Sequence, residues 1–316
     1  MSATELQTVA VLMREPQMLE LSRLALSTPG DDDVIVDVAF SGISTGTERL
    51  LWSGEMPAFP GLGYPLVPGY ETVGTVVEAG QSSKRRVGDH VYVPGARCFK
   101  GARGLFGGAA ARLILPGEKT SVIDSSLGEH GVLLALAATA QHVLAGGAAP
   151  QLIIGHGVLG RLLARVAIAN GATPPRVWEV DPSRRENDGT YEVVDPSTDD
   201  ANKYDVIIDA SGDASVVDRA VARLARGGEI VLAGFYSERI EFDFPPAFMA
   251  EMRLRTAAEW TSSDLQHVIA AVEDGRLSLE NLITHHALAA QADVAYRVAF
   301  SDPSCLKMVL DWREYA

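Results

Sequence analysis

The residues best placed to do chemistry form one glycine-rich run, Gly155-His156-Gly157-Val158-Leu159-Gly160. It follows an apolar, strand-like run at 151–154 and opens a helix expected over 161–170. That strand–turn–helix setting is what a dinucleotide-binding fingerprint requires. Gly155 permits the tight turn, Gly157 lets the backbone approach a pyrophosphate, and Gly160 lets the helix pack on the strand. The pyrophosphate would lie over the helix N-terminus, where unpaired N–H groups and the dipole favour an anion. A ribose-binding acid belongs about 20 residues further on. The strand-like run 176–180 ends at Asp181, whose carboxylate would accept both ribose hydroxyls and repel a 2′-phosphate, favouring NAD over NADP. Glu179 would point into the sheet or towards the adenine. Arg184 and Arg185 adjoin this acid, and two readings stand: a phosphate partner or solvated residues at a helix start. The next two strand ends carry Ser211-Gly212 and Gly234-Phe235, small enough on the whole to leave room for the ribose and nicotinamide.

The elements that must hold these residues alternate. Strand-like runs at 176–180, 191–194, 205–209 and 229–233 are interleaved with helical stretches at 131–145 and 214–226. This is the βαβ pattern of a doubly wound parallel sheet, an α/β fold. Before residue 125 the chain is instead β-branched, strand-like and cut by Gly and Pro. Helical spacing returns at 263–274, and 293–312 reads as a last amphipathic stretch. The 316 residues suffice for two ordinary cores. A formal charge of −14 disfavours nucleic acid and anionic lipid as partners. Two cysteines, Cys98 and Cys305, cannot build a disulfide framework or a four-thiolate zinc site. The apolar run 131–140 stops at Gln141-His142, well short of the roughly 20 residues a membrane span needs. The N-terminus carries Glu5 and alternates like a strand rather than a signal peptide. A soluble cytoplasmic protein is the expectation.

Val67-Pro68-Gly69-Tyr70-Glu71, Gly74, and Val87-Gly88-Asp89-His90-Val91 resemble the medium-chain dehydrogenase/reductase family over nearly the whole chain. The resemblance implies a GroES-like catalytic domain at 1–126 completed by 276–316, a Rossmann domain at 127–275, and a homodimer. The chain departs from zinc-dependent members at their ligand positions. Ser44 stands for a Cys, Tyr70 for a His, and Ala135 for the later ligand, while Glu71 alone survives. One carboxylate cannot hold a zinc ion that needs three protein ligands, so a zinc-free enzyme is expected. His90, His142 and His156 show no ligand spacing. The family's nicotinamide-contacting threonine falls on Thr139.

Longer blocks narrow the resemblance, among them residues 41–48, 59–71, 105–109, 244–248 and 305–312. They are similar to the branch that dehydrogenates bacteriochlorophyllides. That likeness implies oxidation of a 3-(1-hydroxyethyl) side chain to 3-acetyl with NAD as hydride acceptor. Without zinc, a hydrogen-bond acceptor or base relay must take the hydroxyl proton. Ser44, Thr45, Thr47, Tyr70 and Glu71 are the candidates, with Tyr70 and Glu71 favoured. Glu71 is either a desolvated base or a loop-holding carboxylate, and Ser44 and Thr45 either act or satisfy turn backbone. Trp52, Phe59, Tyr64 and Phe106 would stack on a flat macrocycle or simply fill a β-domain core. Arg49, Arg97, Lys100 and Arg103 are candidate partners for its propionate. The competing functions are an NADPH-dependent quinone or enoyl reductase and a non-catalytic nucleotide-binding scaffold.

Overall fold

The computed structural model describes residues 6–58, 60–186, 188–201, 203–236 and 238–315. It divides into two compact units, Met1–Ala135 with Glu280–Ala316, and Leu136–Leu279.

In the first unit the alternating N-terminal sequence becomes the strand Gln7–Glu15, paired antiparallel with Met18–Ala25 and extended by Leu66–Val67 and Arg103–Gly104. A larger sheet runs, in order, His285–Leu288, Met308–Asp311, Asp33–Ile43, Thr72–Ala79, His90–Val93 and Ser121–Val122, with Arg112–Pro116 also paired to Asp33–Ile43. The C-terminal residues therefore complete a sheet begun near the N-terminus. Ile43 lies opposite Met308 and Gly42 opposite Val309. Between the sheets packs an apolar core that includes Val11, Met13, Ile43, Leu66, Val93, Leu113 and Tyr296. Cys98 and Cys305 are both free thiols buried in it.

The second unit is built on a parallel sheet in the order Glu192–Val194, Arg176–Trp178, Leu152–Ile154, Tyr204–Asp209, Leu224–Leu232, Arg253–Thr256. This is the doubly wound order, with the first strand central. Leu152, Ile153 and Ile154 are buried, as a strand covered on both faces must be. The helix Val158–Ala169 follows that central strand. A Cβ on Gly160 would sit 1.9 Å from the Gly155 carbonyl, so only glycine lets this helix approach.

Several elements differ from the sequence expectation. The run 293–312 is not one amphipathic element: a helix covers Ala292–Ser301, and a strand Met308–Asp311 follows. Pro303 disfavours the α conformation at Asp302, which is extended at φ −89° and ψ 112° and ends the helix. The stretch 131–145 is helical only from Leu134, after the irregular turns Ser125–Leu133. Residues 214–226 divide into a turn at Ala214–Val216, a helix Val217–Arg223 and the start of the strand Leu224–Leu232. Among the described residues no helix is long and apolar enough to cross a membrane.

Candidate active site

Two groups of functional residues emerge, one in each unit. In the dinucleotide-type unit the strand-end loops converge. Gly155 lies against Ser211, whose Cα and N would be 3.0 and 3.1 Å from an added Cβ, and Gly234 lies against the Gly212 backbone in the same way at 2.9 Å. Gly155, Ser211, Gly212, Gly234 and the half-exposed Phe235 therefore share one end of the sheet. Gly157 caps the helix Val158–Ala169 without any side-chain hydrogen bond, and open space surrounds its Cα. A side chain would fill that space. The uncapped helix start above it suits a pyrophosphate, so this chain's own residues fit a dinucleotide. Val158 is buried and Leu159 half-buried in the first turn, and Thr139 lies on the helix Leu134–Ala145.

The loop after the second strand is tied down in a way the sequence did not reveal. The strand stops at Trp178, and Glu179 turns its carboxylate onto the backbone. Its Oε2 accepts the His156 N–H at 3.0 Å, and its Oε1 accepts the Asp181 N–H at 2.9 Å. Glu179 thus clamps the glycine loop instead of facing adenine. The His156 ring is fully buried between the Arg184 carbonyl at 2.5 Å and the Tyr191 hydroxyl at 2.8 Å. A carbonyl only accepts, so Nδ1 carries the proton and Nε2 accepts from Tyr191. Burial pushes the imidazole pKa down to about 4. Arg161 adds bonds to the His156, Arg184 and Glu186 carbonyls.

Asp181 accepts from Ser183 N–H and Oγ, which hold its carboxyl below the usual range. Arg185 is committed to the Glu179 and Val180 carbonyls, at 2.8 Å each, and to Asp195 at 2.5 Å. Asp209 is buried, which raises its pKa, and accepts from the Tyr236 hydroxyl at 2.5 Å.

In the first unit the structure brings Ser44 and Tyr70 together. Their hydroxyls share a 2.6 Å hydrogen bond, and Tyr70 also donates to Thr47 at 3.5 Å. Ser44 directly follows the strand Asp33–Ile43, and Tyr70 precedes the strand Thr72–Ala79. The Tyr92 hydroxyl fixes the Tyr70 carbonyl at 2.8 Å, and Phe106 packs edge-on against the Tyr70 ring at 5.0 Å. Burial, reinforced by Glu71, raises the phenol pKa far above its ordinary value. Tyr70 is therefore a neutral hydroxyl at working pH, able to donate or accept but not a standing phenolate.

Glu71 is engaged elsewhere. Its Oε2 is 2.6 Å from Lys307 Nζ, both side chains are essentially inaccessible, and Lys307 also donates to the Ile43 carbonyl at 3.1 Å. A Cβ on Gly42 would lie 2.2 Å from the same carboxylate oxygen, so glycine there makes room for the pair. Of the two readings of Glu71, the contact with Lys307 is the arrangement of a loop-holding carboxylate. Thr45 is exposed, and Ala135 contributes only a methyl. Ser44, Tyr70, Ala135 and one carboxylate oxygen left over on Glu71 do not fit a zinc ion, which needs three protein ligands. Among the described residues no three His, Cys, Asp or Glu side chains gather into a metal-holding group.

The aromatic candidates separate. Phe106 stands beside Tyr70, whereas Trp52 packs on Phe300 at 5.7 Å and Tyr64 donates to the Leu51 carbonyl. All three pack against the core of the first unit. Phe59 lies outside the described residues. Lys307, Glu48 and Tyr296 went unrecognised in the sequence. The only signal was a lone lysine inside the apolar run Cys305-Leu306-Lys307-Met308-Val309-Leu310.

Residues 30–125 match the alcohol dehydrogenase GroES-like domain family. The chain is 53% identical to the 2-desacetyl-2-hydroxyethyl bacteriochlorophyllide A dehydrogenase of Rhodobacter capsulatus, over 98% of this chain and 99% of that protein. It is 54% identical to the protein of the same name from Cereibacter sphaeroides, over 98% of this chain and 100% of that one. Among solved structures, L-idonate 5-dehydrogenase from Escherichia coli superposes with a TM-score of 0.85 at 18% identity, covering 98% of this chain and 99% of the other.

Proposed function

The chain belongs to the family of 2-desacetyl-2-hydroxyethyl bacteriochlorophyllide A dehydrogenases and is an alcohol-dehydrogenase-type oxidoreductase, and from that premise we propose the reaction. The protein oxidises the 3-(1-hydroxyethyl) group of a bacteriochlorophyllide to 3-acetyl, with NAD as acceptor and without zinc. The observation that carries the substrate is the full-length likeness at 53% and 54% identity.

The geometry supports how the chemistry would run. When bound, the dinucleotide supplies the hydride acceptor. Gly157 and the start of the helix Val158–Ala169 would hold its pyrophosphate, and Asp181 its ribose. Arg185, already balanced by Asp195, is not offered to a 2′-phosphate, which favours NAD over NADP. The Ser44–Tyr70 couple would accept the hydrogen bond of the substrate hydroxyl and pass its proton by way of Thr47 to solvent as hydride leaves for NAD, so that alcohol and NAD give ketone, NADH and one proton. The carbinol carbon is bonded to a conjugated ring, so positive character that develops as hydride leaves is spread over the macrocycle. That lessens the demand for a Lewis acid, which zinc normally meets. Glu71 and Lys307 act as positioning residues that hold the loop bearing Tyr70. The same reading expects a cytoplasmic homodimer.

The test is a spectroscopic assay of purified protein with 3-(1-hydroxyethyl)bacteriochlorophyllide a, NAD or NADP, and a chelator. A red shift of the long-wavelength pigment band with NAD reduction supports the reading. Turnover of quinones or enones with NADPH, and none of the pigment, would replace it.

A further inference from the structure

One buried acid behind the Ser44–Tyr70 couple has no part in the chemistry assigned so far. Glu48 lies in the first turn of the helix Thr47–Ser53 and is 0% exposed. Its Oε1 accepts the Ser44 N–H at 3.3 Å, and its Oε2 accepts from the Tyr296 hydroxyl at 2.7 Å, reaching across to the helix Ala292–Ser301. Ser44 therefore has its backbone held by Glu48 while its hydroxyl holds Tyr70. The titratable groups facing Glu48 are Tyr70 and Glu71 before the strand Thr72–Ala79, Tyr296 on its helix, and Lys307 before the strand Met308–Asp311. Lys307 is spent on Glu71 at 2.6 Å. Two carboxyl groups thus share one ammonium in a closed interior, and an ionised Glu48 is the uncompensated charge.

We propose that Glu48 is a positioning residue for the Ser44–Tyr70 couple, and that the presence or loss of its proton sets the charge behind those two hydroxyls. The inference rests on the oxidation proposed above. Burial pushes the Glu48 carboxyl up to about 8, with Glu71 adding to the rise, while Tyr296, the Ser44 N–H and Lys307 oppose it. When Glu48 gives up its proton, its negative charge makes Tyr70 a better acceptor. It also favours positive character at a carbinol carbon losing hydride. Oxidation then speeds up as Glu48 ionises, through the field of a charge and not by direct proton transfer, because the Ser44 link runs through its backbone N–H.

The experiment compares Glu48→Gln and Tyr296→Phe with the parent protein. Gln keeps the shape and an acceptor for Ser44 N–H but removes the charge. Parent kcat for pigment oxidation by NAD should rise with pH around a midpoint near 8. That rise should be lost in Glu48→Gln. It should move to higher pH in Tyr296→Phe, which loses a donor that favours the ionised acid. A purely structural Glu48 would lower kcat without moving the profile. A second arm needs no substrate: infrared titration should show the carbonyl stretch of a protonated carboxyl that fades over the same pH range and is missing from Glu48→Gln. An unchanged pH rise in Glu48→Gln, or the absence of a Glu48-dependent band, overturns the proposal. No pigment oxidation with the band intact overturns the functional reading alone, since the infrared arm reads Glu48 by itself.

Discussion

Ser44 and Tyr70 are joined by a 2.6 Å bond that makes them a pair that succeeds or fails together. Tyr70→Phe and Ser44→Ala should each lower kcat by about 10²-fold or more, the scale of a lost proton-transfer contact, with dinucleotide affinity unchanged. Near-parental turnover in both would remove the couple from the mechanism. The ion pair beside them is different in kind. Lys307→Met leaves the Glu71 carboxylate buried without its partner, which costs about 3–5 kcal/mol, whereas Glu71→Gln combined with Lys307→Met should recover most of the loss. Denaturant midpoints of the single and the double variant check this, and an unaffected single variant would contradict it. Glu48 adds a pH dependence of known sign. Its pKa in the folded protein, about 8, exceeds the ordinary 4.5. Folding therefore retains a proton that the unfolded chain releases, and the stabilisation is lost as pH rises through that window. Glu48→Gln should flatten this part of the stability curve. Little of this was legible in the sequence, because Lys307 meets Glu71 from 236 residues away and Tyr296 meets Glu48 from 248. Nothing local to either partner encodes the meeting.

At the level of elements, legibility followed how far the backbone alone dictates the residue. The fingerprint at 155–160 was readable because a tight turn, an open cradle and a close helix–strand contact each demand glycine. The clamp around it was not, since Glu179, His156 and Arg161 bind backbone carbonyls and N–H groups that any sequence would present. Boundaries failed for similar reasons: 293–312 kept its amphipathic texture while Pro303 divided it into a helix and a strand. The clamp makes the dinucleotide unit sensitive to acid. His156 is held neutral with a pKa near 4. The unfolded chain therefore binds a proton that the folded one refuses, and stability falls as pH drops from the ordinary 6.5 towards 4. His156→Gln should weaken that slope in a pH series of thermal unfolding. Asp195 governs the neighbouring arginine. Asp195→Ala should release one of the partners of Arg185 and raise NADP affinity relative to NAD, read by fluorescence titration with both nucleotides. An unaltered affinity ratio would show that Arg185 plays no part in nucleotide choice.

On the scale of the whole molecule, a GroES-like β-rich unit and a doubly wound parallel sheet share one chain whose C-terminal strands return to the larger sheet of the first unit. Strand periodicity and the βαβ order carried that architecture. They did not reveal the buried Glu71–Lys307 and Glu48–Tyr296 pairs, because those depend on side chains collected from both ends of the chain. A site built on hydroxyls is proposed to oxidise a hydroxyethyl pigment. The most direct measurement follows the long-wavelength absorption of 3-(1-hydroxyethyl)bacteriochlorophyllide a with NAD, with the protein first stripped by chelator and then supplied with zinc. A red shift and NADH formation at the same rate are expected in both conditions. Turnover that vanishes on stripping and returns with zinc would contradict the proposal.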